Sequence, residues 1–334
     1  MSLFSTIYIE DEIASHPRTL EICARFPRAA QIPCLQYGEV FNPKAQNFRL
    51  QKSNPALILA NKNRQRIHPV PESYGIGGSR NYYFSHMLNC LYDCRYCFLQ
   101  GMFRSAYYVL FVNYEDFLAD IGRVLADSRD QDTWFFSGYD CDSLALDPVS
   151  GFAGEFLPFF ATHPHAYLEL RTKSTQIRGL LKHRPLENVV TAFSFTPAEI
   201  YASLEHKVPA IERRLEAMAQ LQKHGWLLGL RFDPLVYQED FEHQYSRLFE
   251  QVFSLLDVEL LHSVSLGPFR LPRGYFKNIL QLYPDEPLFA GPFAESNGMV
   301  SYRAELENEM TAFCTRRLLE YVPESLLYPC QVAA

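Results

Sequence analysis

The sequence predicts an α/β fold built on parallel strands, and three observations predict it. From about residue 81 to residue 281, short apolar strand-like runs alternate with helical stretches. Six strands alternating with helices imply parallel βαβ units. Helix signals punctuate the alternation, the clearest being an amphipathic run over 209–224 that stops at Gly225. Finally, 48% of the 334 residues are hydrophobic and 21% charged. That is a globular balance, and a chain of this length buries a core without disulfide staples.

The elements follow in order. Residues 1–80 read as an irregular entry segment in which 7–10 is strand-like and 11–26 weakly helical. The stretch 53–80 is rich in Asn, Pro and Gly and ends in a glycine-rich run, Tyr74 to Ser79. No strand precedes that run and no helix follows it, so it reads as a loop and not as a dinucleotide fingerprint. Strands are expected at 81–85, 133–137, 167–171, 188–195, 226–232 and 262–266. Helices are expected at 114–126 with Asn113 as cap, 174–181 with Ser174 as cap, 209–224, 241–256 and 272–281. Beyond 285 the pattern changes. Runs at 289–293 and 299–302 flank Ser296-Asn297-Gly298, an Asn-Gly hairpin signal, and 304–321 reads as a helix closed by Pro323. The expected organisation is an extension over 1–80, an α/β unit over 81–284, and a hairpin with a helix over 285–334.

Charge and composition exclude several classes. The net charge of −7 argues against a protein that coats nucleic acid through bulk charge. A local basic groove remains open: residues 47–80 carry Arg49, Lys52, Lys62, Arg64, Arg66 and Arg80 against one acid, Glu72. The segment reads either as a solvated surface or as an edge that contacts phosphate. No run of 18 apolar residues occurs, so no membrane helix is expected. The first residues lack a basic start and an apolar core, which points to the cytoplasm. There the eight cysteines are not expected to form a disulfide framework. Cys23, Cys34, Cys314 and Cys330 show no partner spacing and read as structural.

Three of the cysteines crowd together as Cys90-x3-Cys94-x2-Cys97. Thiolates prefer soft metals and iron–sulfur clusters. Three on one loop can cap three irons of a cubane and leave the fourth iron open. Zinc would want a second pair of ligands; His86 offers one more donor, and no pair is present. A ferredoxin-type cluster would want four cysteines. The loop follows the first strand of the βα series, and in α/β barrels chemistry sits at the C-terminal ends of strands.

The loop, continued by Phe98-Leu99-Gln100, resembles the radical S-adenosylmethionine superfamily and more closely its spore photoproduct lyase family. Further short likenesses are Ile7-Tyr8-Ile9-Glu10-Asp11-Glu12, Cys141-Asp142-Ser143, Arg171-Thr172-Lys173, Phe193-Ser194-Phe195 and Gly229 to Pro234. The resemblance implies a partial (β/α)6 radical S-adenosylmethionine barrel, with an N-terminal extension and a C-terminal β-hairpin plus helix. It implies a [4Fe-4S] cluster on Cys90, Cys94 and Cys97. The reduced cluster would split S-adenosylmethionine into a 5′-deoxyadenosyl radical that acts on a thymine photoproduct in DNA. It implies Tyr96 beside the adenine, Ser143, Lys173 and Ser194 around the rest of the cofactor, and Cys141 as hydrogen-atom donor. Arg270 resembles a lyase arginine near the sixth strand, and a surface ion pair accounts for it equally well. Damaged DNA and a reductant such as flavodoxin or ferredoxin are the implied partners.

Two departures stand out. Phe98 replaces a tyrosine of the family's proposed hydrogen relay and carries no O–H. The hairpin stretch 294–303 keeps one Tyr and one Arg, and residues 286–334 hold seven Glu against three Arg, so weak phosphate binding is expected there. The substrate expectation therefore stays open between a DNA photoproduct and another radical substrate such as a peptide, an RNA or a small molecule. A cluster protein that only carries or senses electrons is a third reading.

Overall fold

The computed structural model describes residues 3–41, 46–70, 76–127 and 131–329. Tyr74, Gly75 and Cys330 lie outside the described residues. The main sheet has eight strands, and its central run joins Arg80–Phe84, Thr133–Ser137, Ala166–Thr172, Val189–Ser194, Leu227–Leu235 and Leu261–Pro268, each parallel to the next. These are the six expected strands, parallel as expected. Leu327–Pro329 adds a parallel edge beside Leu261–Pro268, and Ile67–Pro69 an antiparallel edge beside Arg80–Phe84. The helices Tyr114–Ala126, Ile211–His224, Phe241–Phe253 and Arg273–Leu282 match their expected places.

Strand alternation sorts the two faces of this sheet. Phe135 packs on Phe160 of the Phe152–Ala161 helix, with ring centroids 6.1 Å apart, so its face looks toward the helices. The alternate residues Trp134 and Phe136 face the other way. Trp134 stacks at 4.8 Å on Tyr167 of the neighbouring strand, and together with Ile76, Val190, Leu227 and Tyr328 they form a small second core. The sheet therefore curls as a half-barrel whose concave face is plugged with aromatic side chains.

The first 80 residues are not the irregular segment expected. Thr6–Glu10, Ala30–Cys34 and Leu57–Ala60 join Tyr108–Phe111 and Met87–Leu88 in a five-stranded sheet, so the sheet draws strands from both sides of residue 80. Leu57–Ala60 and Tyr108–Phe111 are buried throughout. Four-residue apolar runs lack the period that distinguishes strand from helix, which is why the sequence hid them. One contiguous core joins this sheet to the half-barrel.

Smaller corrections have local causes. Asn113 precedes its helix but caps nothing. Its amide instead accepts from Lys62 N at 2.9 Å and donates to Asp116 Oδ2 at 2.7 Å, tying together the loops that leave the paired strands Leu57–Ala60 and Tyr108–Phe111. The helix expected from Ser174 shrinks to Arg178–Leu181. The hairpin forms at Asn297 and Gly298, both with positive φ, between Phe293–Ser296 and Met299–Tyr302, and Arg270–Pro272 pairs on its other edge. The run at 289–293 starts instead as the 3-10 turn Pro287–Ala290. The terminal helix is Ala304–Leu318. No helix among the described residues is long and apolar enough to cross a membrane.

Candidate active site

The predicted site residues lie on the connections that leave the C-terminal ends of the parallel strands. The cysteine loop leaves Arg80–Phe84, and Cys141 leaves Thr133–Ser137. Lys173 follows Ala166–Thr172, and Ser194 ends Val189–Ser194. Loop ends at this face are where a parallel sheet exposes free backbone and side chains to a ligand.

The cysteine loop is fixed by its backbone. Asn89 adopts a left-handed φ of 67°, and its amide donates at 2.7 Å to the carbonyls of both Ser105 and Tyr107. Asp93–Cys94 forms a two-residue antiparallel bridge with Glu205–His206, and Cys97 N closes a turn onto Cys94 O at 3.0 Å. The three thiols are free, they lie within range of one another's charge, and Lys52 and Lys173 act on them. No three of the described His, Cys, Asp and Glu side chains converge on a single ion. A cubane takes each thiolate on a different iron, so three free thiols on one loop beside two lysines fit a cluster of that kind. His86, the extra donor a zinc site would need, stacks on Phe152 at 3.9 Å in the core. Burial lowers its pKa to about 3 and keeps it neutral.

Behind the loop lies a buried polar network that the sequence did not announce. Tyr96 O–H donates to Glu205 Oε1, and Lys173 Nζ donates to both the Tyr96 hydroxyl and, at 2.7 Å, Glu205 Oε1. Thr196 Oγ1 adds a bond at 2.9 Å, and Arg214, itself fully buried, meets Glu205 Oε2 at 3.1 Å and the Ser194 carbonyl at 2.7 Å. Burial opposes the Glu205 charge, but Lys173 and Arg214 outweigh it and hold the pKa at about 2. Lys173 is thus already paired with a carboxylate in this structure. The sequence analysis singled out neither Glu205 nor Arg214, and only burial marks them.

Cys141 is 7% exposed and free, and it lies within electrostatic range of Cys90. Burial, with the nearby Cys90 and Asp140 charges, pushes its thiol pKa well up, so the S–H is retained. Its position depends on two neighbours. Gly138 has φ of 81°, and a Cβ there would stand 2.5 Å from Ser143 Oγ. Asp142 is buried and accepts from Leu144 N, Ala145 N, Thr172 Oγ1 and Lys173 N at 2.7–3.0 Å, tying this connection to the next strand's end. Ser143 is fully buried, with its hydroxyl 2.7 Å from Ser137 Oγ and its N–H on Arg171 O. It holds the loop in this structure.

An aromatic strip lines the mouth next to Cys141. Phe98 packs on Tyr139 at 5.3 Å and on Tyr275 at 6.4 Å, Tyr139 on Tyr83 at 4.6 Å, and Tyr83 on His68 at 5.1 Å. Arg270 pairs with Asp233 at 3.4 Å, the ion-pair alternative for that residue. In the hairpin, Tyr302 is buried and its hydroxyl accepts from Tyr237 N at 2.9 Å, while Glu295 pairs with Arg273.

Comparison with known proteins adds a family and a fold. A family model described as "Spore photoproduct lyase" matches residues 77–286. The spore photoproduct lyase of Bacillus subtilis is 23% identical over 188 residues, 56% of this chain and 55% of that protein. That of Clostridium acetobutylicum is 23% identical over 212 residues, 63% of this chain and 62% of that protein. The matched regions thus span little more than half the length of these curated relatives. Among solved structures, a spore photoproduct lyase variant with bound AdoMet and dinucleoside spore photoproduct superposes with a TM-score of 0.86 at 19% identity. A spore photoproduct lyase complexed with dinucleoside spore photoproduct gives 0.83 at 18%. Both alignments cover 99% of each chain, and they show the same fold.

Proposed function

This chain belongs to the spore photoproduct lyase family, and from that premise we propose that it is a radical S-adenosylmethionine enzyme that repairs a thymine photoproduct in DNA. The observation that carries the proposal is the meeting of three free thiols, Cys90, Cys94 and Cys97, with a fourth, Cys141, at the C-terminal mouth of the parallel strands. The six neighbouring parallel strands between Arg80 and Pro268 support the finer reading of a partial (β/α)6 barrel. Seven free cysteines among the described residues suit a reducing compartment such as the cytoplasm.

Cys90, Cys94 and Cys97 would hold a [4Fe-4S] cluster which, when reduced, supplies the electron that cleaves S-adenosylmethionine to a 5′-deoxyadenosyl radical. The chain's own residues bind, orient and shield. Tyr96, set by Glu205 and Lys173, offers a fixed ring for the adenine. Lys173 supplies a cation for the cofactor's carboxylate, in exchange with Glu205, and Ser143 and Ser194 bound the pocket at the strand ends. The aromatic strip of Phe98, Tyr139 and Tyr83 keeps water from the reacting carbon and gives a flat surface for a thymine. Cys141 would return one hydrogen atom from Sγ to the product radical: its S–H bond breaks, a C–H bond forms, and the unpaired electron passes to Sγ.

Anaerobic reconstitution and reduction test this reading. With dinucleoside spore photoproduct, the protein is expected to release 5′-deoxyadenosine and restore thymine. Cys94→Ala is expected to lose iron, sulfide and cofactor cleavage together. A full iron and sulfide complement in that variant would overturn the cluster assignment. Cofactor cleavage that leaves the photoproduct untouched would overturn the substrate.

A further inference from the structure

The outer side of the cysteine loop carries a charge pattern that the chemistry proposed above does not use. Two cations flank Asp93, the neighbour of Cys94, and two more lie against the residues that hold them. Lys52 Nζ lies 3.8 Å from Asp93 Oδ1, and Arg95 Nη2 lies 3.4 Å from Asp93 Oδ2. Lys207 Nζ donates to the Lys52 carbonyl at 3.0 Å. The Arg95 guanidinium covers the Tyr283 ring at 3.8 Å, and Arg49 approaches the same ring at 6.0 Å. Arg49 and Lys207 are exposed. In a chain of net charge −7 this is a local excess and not a reflection of bulk charge.

Two further observations say what the patch is beside. Lys52 lies within electrostatic range of both Cys90 and Cys97, so the patch is the surface covering of the thiol loop. The substrate mouth is built from other residues: Phe98 packs on Tyr139 and Tyr275, toward Cys141. Electron transfer falls steeply with distance, so a carrier has to dock where the cysteine loop nears the surface. Complementary charge steers such an encounter and sets its orientation.

We propose that Arg49, Lys52, Arg95 and Lys207 form the docking surface for an acidic one-electron carrier protein. The inference rests on the iron–sulfur reading of Cys90, Cys94 and Cys97. The carrier is oxidised by one electron, the group on the three thiolates is reduced by one, and no bond to the carrier forms.

The test uses reduced flavodoxin as the acidic carrier and the double variant Arg49→Glu/Lys207→Glu, whose side chains are exposed and outside the site. With flavodoxin, 5′-deoxyadenosine release is expected to fall about tenfold and to lose its dependence on salt. With dithionite, a small reductant that needs no docking, release is expected to match the wild type. Direct titration of flavodoxin, without S-adenosylmethionine, should show the same loss of affinity. Equal flavodoxin binding and equal flavodoxin-driven rates would overturn the proposal. So would a loss of DNA binding with carrier binding unchanged, which would assign the patch to phosphate. If dithionite drives no release from either protein, the radical reading fails, and the binding titration still decides the patch.

Discussion

Cys141 and Tyr96 divide the residue-scale questions between them. Cys141 is a buried thiol within electrostatic range of Cys90, whereas the Tyr96 hydroxyl is committed to Glu205 and Lys173. Direct transfer from Cys141 to product therefore needs no tyrosine between them, which suits a chain with phenylalanine at position 98. Cys141→Ala is expected to keep the cluster and cofactor cleavage while the substrate radical goes unquenched and yields aberrant products. If Cys141 only packs, the variant costs on the order of 1–2 kcal/mol in stability and product stays normal. Tyr96→Phe is expected to cost about 1 kcal/mol through the lost hydrogen bond and to leave the ratio of 5′-deoxyadenosine to product unchanged. A rise in that ratio would put Tyr96 on the hydrogen path. The nearness of the three motif cysteines to Cys141 was legible in the sequence, because each sits in a motif at the end of a strand. The partners of Lys173 were not, because Glu205 sits 32 positions away and only folding brings it near.

Pairs of strands and their side chains show a second buried charge device. Glu169 and Arg231, both fully buried, meet at 2.7 Å across the concave face, with Arg171 on the same carboxylate and Ser263 Oγ accepting from Arg231 at 2.9 Å. The device spans four strands, from Ala166–Thr172 to Leu261–Pro268, beneath the candidate site. Burial opposes the Glu169 charge, but Arg231 and Arg171 outweigh it and lower the pKa to about 2. The folded pKa is depressed, so the pair's stabilisation is full above the ordinary glutamate range and is lost as pH falls toward 2. Glu169→Gln is expected to cost about 3–5 kcal/mol at pH 7, since it leaves a buried guanidinium without its counter-charge. Urea unfolding at a series of pH values checks the sign: the gap between wild type and variant should shrink from about pH 4.5 downward. A gap independent of pH would show that Glu169 is not charged in the fold. The strands themselves were readable from their apolar runs, but the pairing of charges within the third and fifth strands of the run depends on the sheet that brings them together.

Across the whole molecule, the proposed function asks an acidic protein to meet DNA. The basic stretch 47–80 was the sequence's candidate edge, yet much of its charge is internal. Arg66 is held by Asp116 at 3.0 Å and Asp120 at 2.9 Å, Arg80 reaches the Val124 carbonyl, and Lys52 belongs to the Asp93 cluster. The hairpin offers little more, with Tyr302 buried and Glu295 exposed. Arg64, which is exposed, is the better probe. DNA binding is expected to be weak, and Arg64→Glu should reduce its salt slope by about one unit while leaving the fold intact. Binding without any salt dependence would remove the DNA polymer as substrate. The sequence by itself determined the six parallel strands, the hairpin at Asn297-Gly298 and the cysteine loop, because apolar period, turn chemistry and ligand spacing are local properties. Only the tertiary structure decided that 1–80 builds a second sheet, that Lys173 and Arg66 are neutralised, and that two cations flank Asp93 beside the thiols. Each of those depends on burial and on contacts between residues far apart in the chain, and neither is written in any short window of it.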